Sequence, residues 1–208
     1  GLRLADSDCS LLAYNITSNH VHLLLRNEEP MAISALLQKT QGEFAAHYNL
    51  VKKRRGAFWD GRYGCTLVEE ETHLWNCMRY IDLNMVRAKV VKDPSQWRWC
   101  GYQELAGIRR RFRLLDIPAL LEATGLGSLA ALRSNYLHLV EQALRAGPPR
   151  REPMWTESIA VGSQAFVESV AARTPARLRP TIVAGNDDGT PWHVHEAPTR
   201  WGRTSATS

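Results

Sequence analysis

The sequence predicts an α+β fold. A strand-like apolar run spans residues 11–25, helical spacing of apolar residues runs through 31–48 and again through 72–90, and further helical segments follow.

Leu11 to Leu25 reads as one or two strands, interrupted near Thr17-Ser18-Asn19. Asn27-Glu28-Glu29-Pro30 is turn chemistry. Ile33, Leu36, Leu37, Phe44 and Tyr48 recur at helical spacing, so 31–48 is read as a helix. A basic run, Lys52-Lys53-Arg54-Arg55, leads into Phe58-Trp59-Asp60-Gly61-Arg62-Tyr63, and Cys65 to Val68 reads as a short strand. Glu69, Glu70 and Glu71 stand before the helix of 72–90, where negative charge suits the helix dipole. Asp93-Pro94 ends it. After Trp97-Arg98-Trp99 and a second basic run, Arg109 to Arg113, come two more helices, 117–124 and 129–146. Gly147-Pro148-Pro149 marks a linker, beyond which one short helix is expected around 164–172, followed by a polar tail.

At 208 residues with 44% hydrophobic content, the chain has enough apolar material for one medium domain and extensions. The net charge of +5 and the pI near 9.2 favour an anionic partner, nucleic acid above all. No apolar run approaches membrane-spanning length, so no membrane partner is expected. Cys9, Cys65, Cys77 and Cys100 make no Cys-x-x-Cys pair and no zinc-finger spacing. Their scatter suits a reducing compartment, and the protein is read as cytoplasmic.

Asn19-His20-Val21-His22 opens the run Leu23-Leu24-Leu25. On a strand His20 and His22 share a face, and Val21 is expected to point into the core. Two imidazoles on one rigid face make half of a divalent-metal site. The pattern by itself is weak, because His193-Val194-His195 repeats it among Asn186, Asp187, Asp188, Gly189 and Pro191, a setting that reads as turn.

The helix of 72–90 carries two stripes. Leu74, Cys77, Met78, Ile81 and Met85 form its core face, and His73, Asn76, Tyr80, Asn84 and Arg87 stack on another. Tyr is a nucleophile once its proton is lost or shared, Asn can offer an oxygen to a metal, and Arg can neutralise a phosphate. Tyr14, Tyr48, Tyr63, Tyr102 and Tyr136 are rival nucleophiles, with Tyr48 the best of them, but none has Asn four residues on.

Three blocks in order, Asn19-His20-Val21-His22-Leu23-Leu24, Trp59-Asp60-Gly61-Arg62-Tyr63 and Arg79-Tyr80-Ile81-Asp82-Leu83-Asn84-x-Val86-Arg87-Ala88, resemble the single-tyrosine HUH transposases. Within them the likeness is greatest to the REP-associated branch, and it spans roughly residues 11 to 105. The resemblance implies a ferredoxin-like antiparallel sheet with helices on one face, followed by a C-terminal helical extension. It implies that His20, His22 and Asn84 hold Mg²⁺ or Mn²⁺, and that Tyr80 attacks a scissile phosphate of single-stranded or hairpin DNA and stays joined to the 5′ phosphate. Free Tyr has a pKa of about 10, so its proton needs help to leave at neutral pH. Strand transfer would need no ATP, because the phosphotyrosine bond keeps the energy. Lys52, Lys53, Arg54, Arg55, Arg62 and Arg87 are read as DNA-backbone contacts, with Arg109 to Arg113 beside them. Phe58, Trp59, Trp97 and Trp99 are candidates for stacking on bases, with ordinary packing the simpler role for at least half of them.

Members carry a first strand and helix well ahead of the histidines, whereas 19 residues precede His20. The expected organisation is therefore an N-terminally incomplete catalytic domain over 1–115, a helical extension over 116–147, and a linker, short helix and flexible tail over 148–208. Met85 and Ser18 stand where prolines are common, and neither removes a catalytic group. The resemblance leaves monomer and homodimer both open, and places the protein with the bacterial nucleoid when DNA is bound. The competing function is a truncated or domesticated sequence-specific DNA-binding protein without nicking activity.

Overall fold

The computed structural model describes residue 4 and residues 7–29, 31–147, 149–186 and 190–196. It is α+β, and it divides into two compact units, one of 1–63 and 74–151 and the other of 64–73 and 152–208. The boundary expected at 115/116 falls inside the first unit.

In the first unit, β1 (Cys9–Ile16) and β2 (Val21–Asn27) pair antiparallel. Thr17 closes the turn between them: its hydroxyl donates to the His20 carbonyl at 2.8 Å and accepts the His20 N–H at 3.1 Å. The other edge of β1 is covered by 99–101, through Ile16 N–H to Trp99 O at 2.9 Å and Gly101 N–H to Tyr14 O at 2.8 Å. Leu11 to Asn15 are all buried. A register shift between Leu11 and Ala13 helps, since a bulge breaks strict alternation. The outer edge of β2 pairs with no strand among the described residues.

That edge corrects one expectation. His20 and His22 do share a face, but Val21 and Leu23 each remain 39% exposed rather than entering the core. The face opposite the histidines has no covering layer at that end of the strand.

α1 (Ala32–Val51) packs on both strands but fully buries only Leu36. The predicted helix of 72–90 is two pieces, α2 (Thr72–Asp82) and α3 (Asn84–Arg87), in register across Leu83 through Leu83 N–H to Arg79 O at 3.0 Å and Arg87 N–H to Leu83 O at 2.8 Å. Its expected core face, Leu74, Cys77, Met78, Ile81 and Met85, is buried, and so are Tyr80 and Asp82. After a short α4 (Tyr102–Leu105), α5 (Ile117–Thr124) starts where Asp116 accepts the Ala119 N–H at 3.0 Å and ends at left-handed Gly125. α6 (Leu129–Arg145) starts at Ser128 and buries Leu132, Tyr136 and Val140. α5 packs on β1 and on α6, so the helical extension belongs to the core of this unit.

The second unit has a four-stranded sheet in the order β3 (Leu67–Val68), β4 (Ala160–Gly162), β6 (Trp192–Glu196), β5 (Pro180–Val183). β3 runs parallel to β4 and the other pairs are antiparallel. α7 (Met154–Glu157) precedes β4, and α8 (Gln164–Arg173) packs Val167 and Val170 against Ala160 and Val194. Much of 148–208 is thus folded, where a linker and tail around one helix were expected; residues 197–208 lie outside the described residues. The strand expected at 65–68 joins this sheet, not that of the histidines, because Thr66 and Leu67 bond to Ser158 O (2.7 Å) and Ile159 O (2.8 Å). The second histidine pair lies on β6 rather than in a turn, with Val194 fully buried on the opposite face of the strand.

Gly162 joins β4 to α8 where there is no room for a side chain. A Cβ there would lie 2.6 Å from the Phe166 ring and 2.7 Å from the Glu69 carboxylate, which accepts both the backbone N–H and the hydroxyl of Ser163. Gly162→Ala is expected to cost about 1–3 kcal/mol through overpacking, read by urea unfolding followed with Trp fluorescence; wild-type stability would overturn this account.

Candidate active site

The turn and strand that hold His20 and His22 also orient them. Asn19 Oδ1 lies 2.8 Å from His20 Nδ1, and as an acceptor it keeps the proton there and leaves Nε2 with the lone pair. The rings of His20 and His22 stand edge to face, 4.8 Å between centroids. Burial first, then the charges of His20 and Arg87, bring the His22 pKa down to about 4. Loss of water and then Arg87 also hold His20 below the ordinary histidine value. Both rings are therefore neutral near pH 7, the form that binds metals.

The end of α2 and the start of α3 face this pair. Asn84 Nδ2 is 3.0 Å from His22 Nε2, and the Tyr80 ring lies edge-on to His22 at 6.3 Å. Arg87 sets its guanidinium 4.0 Å from the Tyr80 ring centroid and donates to the Tyr80 carbonyl at 3.2 Å. Tyr80 is only 5% exposed. The structure thus brings together five of the residues singled out in the sequence: His20, His22, Tyr80, Asn84 and Arg87.

Other candidates stand apart. No ring contact, ion pair or hydrogen bond joins Lys52, Lys53, Arg54, Arg55 or Arg62 to this cluster among the described residues. All five are exposed, and Arg54 folds back onto the Ala57 carbonyl. The rival tyrosines are held elsewhere: Tyr14 by Glu104, Tyr136 by Asp82, Tyr63 by Ser34, Tyr48 among Phe44 and Phe58, and Tyr102 near Tyr136. Phe58 and Trp59 pack on Phe44 and on each other, so packing is their observed role. His73 of the second stripe lies in the other unit, 3.7 Å from Glu69.

The donor set suits a hard divalent ion with an incomplete protein shell. It offers two neutral imidazoles and an amide whose half-turn exchanges nitrogen for oxygen at His22. Among the described residues no third His, Cys, Asp or Glu joins them.

Two residues of this site escaped sequence reasoning. Asn15, opposite His22 in the ladder, is fully buried, and its amide donates to Ile81 O at 2.9 Å. Asp82 is buried between Tyr80 and Asn84 in sequence and accepts the Tyr136 hydroxyl at 2.5 Å and the Tyr102 N–H at 3.3 Å. The signal for Asn15 was a lone amide inside an apolar strand. Asp82 gave none, because polar helix residues are ordinarily solvated.

Residues 3–84 match the model of a family described as IS200-like transposases. The likeness to that family covers under half of the 208-residue chain. The match takes in both histidines and Tyr80 and ends on Asn84. Comparison with curated proteins and with solved structures gave no significant match. No helix among the described residues is long and apolar enough to cross a membrane.

Burial outweighs the bonds that Asp82 accepts and raises its pKa from 3.8 to about 7. Between those values the folded protein keeps a proton that the unfolded chain has lost, so this group's stabilisation is present at low pH and declines as pH rises through the window. Asp82→Asn does not titrate. Its stability relative to wild type is expected to rise from about pH 5 to about pH 8, measured by urea unfolding; a constant difference would contradict the assignment.

Proposed function

We propose that the first unit cuts and rejoins single-stranded DNA through Tyr80, with a divalent ion, Mg²⁺ or Mn²⁺, held by His20, His22 and Asn84. The observation that carries this reading is the meeting of His22 with both Asn84 and the Tyr80 ring, inside the segment that matches the transposase family. In the reaction the Tyr80 oxygen bonds to the scissile phosphorus and the bond to the 3′ oxygen breaks. The tyrosine proton passes to water, and the leaving oxygen takes up a proton as the 3′ hydroxyl. Reversal by the same or another 3′ hydroxyl rejoins the strand. The ion, when bound, supplies charge to polarise the phosphate.

The chain's own groups orient and neutralise. Asn19 sets the His20 tautomer, the strand fixes both imidazoles, and Arg87 holds the Tyr80 ring and brings a cation to it. Tyr80 is ordered before DNA arrives, which removes part of the entropy of reaching the reactive geometry. Its near-complete burial also favours a second reading, a DNA-binding protein that does not nick.

The two readings separate in one assay. Wild-type protein with a labelled single-stranded oligonucleotide bearing hairpin repeats is expected to give a covalent adduct on denaturing gels in Mn²⁺ and none in EDTA. Tyr80→Phe and His20→Ala are expected to abolish the adduct. An adduct that persists in Tyr80→Phe would remove Tyr80 as the nucleophile, and binding without any adduct would favour the non-nicking protein.

A further inference from the structure

The loop between α4 and α5 lies outside the site described above, and one buried carboxylate grips both its ends. Glu104 Oε2 accepts the backbone N–H groups of Leu114 at 2.8 Å and Leu115 at 3.0 Å. Its Oε1 accepts the Tyr14 hydroxyl at 2.6 Å and faces Arg109 at 3.7 Å. Arg109 also donates to the Tyr14 hydroxyl and to the Arg98 carbonyl. Beyond the far end, Asp116 N–H bonds Leu11 O at 2.9 Å. The four residues between, Arg110 to Arg113, are all exposed, and none makes an ion pair with another described residue.

At the tip Phe112 is 90% exposed, with no ring partner and a left-handed backbone at φ 54°. Water disfavours a bare aromatic ring, and L-residues disfavour that backbone. The ring borders a groove of about 750 Å³ that Leu115, Ile117, Pro118 and Leu129 also line. The contacts of Glu104, Arg109 and Asp116 tie both ends of the loop to the body of the unit. Asp116 also lines the groove, but its carboxylate is engaged with the Ser10 hydroxyl and the Ala119 N–H.

We infer that this loop is a docking site for unpaired nucleotides of single-stranded DNA, with Phe112 stacking on a base and Arg110, Arg111 and Arg113 meeting the flanking phosphates. A ring bracketed by unpaired guanidiniums matches a base bracketed by phosphates, and stacking is tolerant of base identity. One apolar side chain among three cations favours this over insertion into an anionic lipid surface, which needs a larger apolar face. The inference rests on the reading of the first unit as a DNA-processing domain and assigns a place where it holds the strand.

The test uses the full chain carrying Tyr80→Phe, so that binding is read apart from cutting, with a fluorescein-labelled oligothymidylate and anisotropy. Adding Phe112→Ala is expected to weaken binding about tenfold, whereas Phe112→Trp retains it. Arg110→Ala with Arg113→Ala is expected to flatten the slope of log affinity against log salt by about 1.4. An oligonucleotide containing 5-bromodeoxyuridine should photocrosslink to the peptide that contains Phe112. Unchanged affinity in Phe112→Ala, a crosslink only elsewhere, no binding of the oligonucleotide, or binding of anionic phospholipid vesicles in its place would each overturn the proposal. Loop-dependent binding by a wild-type chain that forms no adduct would sink the nicking reading and leave the loop assignment standing. Adduct formation with Phe112-independent binding would do the reverse.

Discussion

The Asn15 side chain, fully buried in β1, donates to the carbonyl of Ile81, the residue after Tyr80. The same residue faces His22 across the β1–β2 ladder. One amide therefore ties the strand that carries the imidazoles to the helix that carries the tyrosine. A buried hydrogen bond is directional, and leaving a buried amide unpaired is costly, so the bond fixes register where apolar contact alone would tolerate sliding. The 3.0 Å approach of Asn84 to His22 and the placement of Tyr80 depend on that register.

Two buried carboxylates extend the same logic. Asp82 meets the Tyr136 hydroxyl and ties the second half of α2 to α6. Glu104 gathers Tyr14, Arg109 and the backbone of 114–115, which ties β1 to the loop before α5. Through these bonds the segment read as a separate helical extension becomes part of the support for the site. Glu104 is nearly surrounded by donors, the condition under which a buried acid is tolerable, whereas Asp82 accepts two bonds that burial outweighs.

The two histidine pairs show how little a local motif settles. Their rings lie 4.8 Å and 4.7 Å apart, almost the same geometry. Alternation on any strand gives that much. The difference lies in what faces them: His20 and His22 meet Asn84, Tyr80 and Arg87, whereas His195 meets the Ser158 hydroxyl and a backbone carbonyl, and His193 meets the carbonyl of Pro191. The spacer valines invert the expectation as well. Val194 is buried because β6 lies between β4 and β5 with α8 packed against it, and Val21 is exposed because β2 is an edge strand.

By itself the sequence determined what backbone periodicity determines. The shared face of His20 and His22, the stacking of Tyr80, Asn84 and Arg87, the core stripe of α2, and helices near 117–124 and 129–146 all follow from residues a few positions apart. Family likeness added the order of the blocks. Only the tertiary structure decided which distant groups meet: Asn15 with Ile81 across 66 positions, Asp82 with Tyr136 across 54, Tyr14 with Glu104 across 90. It also decided that residues 64–73 join a sheet with residues far along the chain, and that Val21 lies in the open. The reason is physical. A local pattern states which face is apolar or polar, but the partner that covers a face or satisfies a buried donor is set by how the whole chain packs.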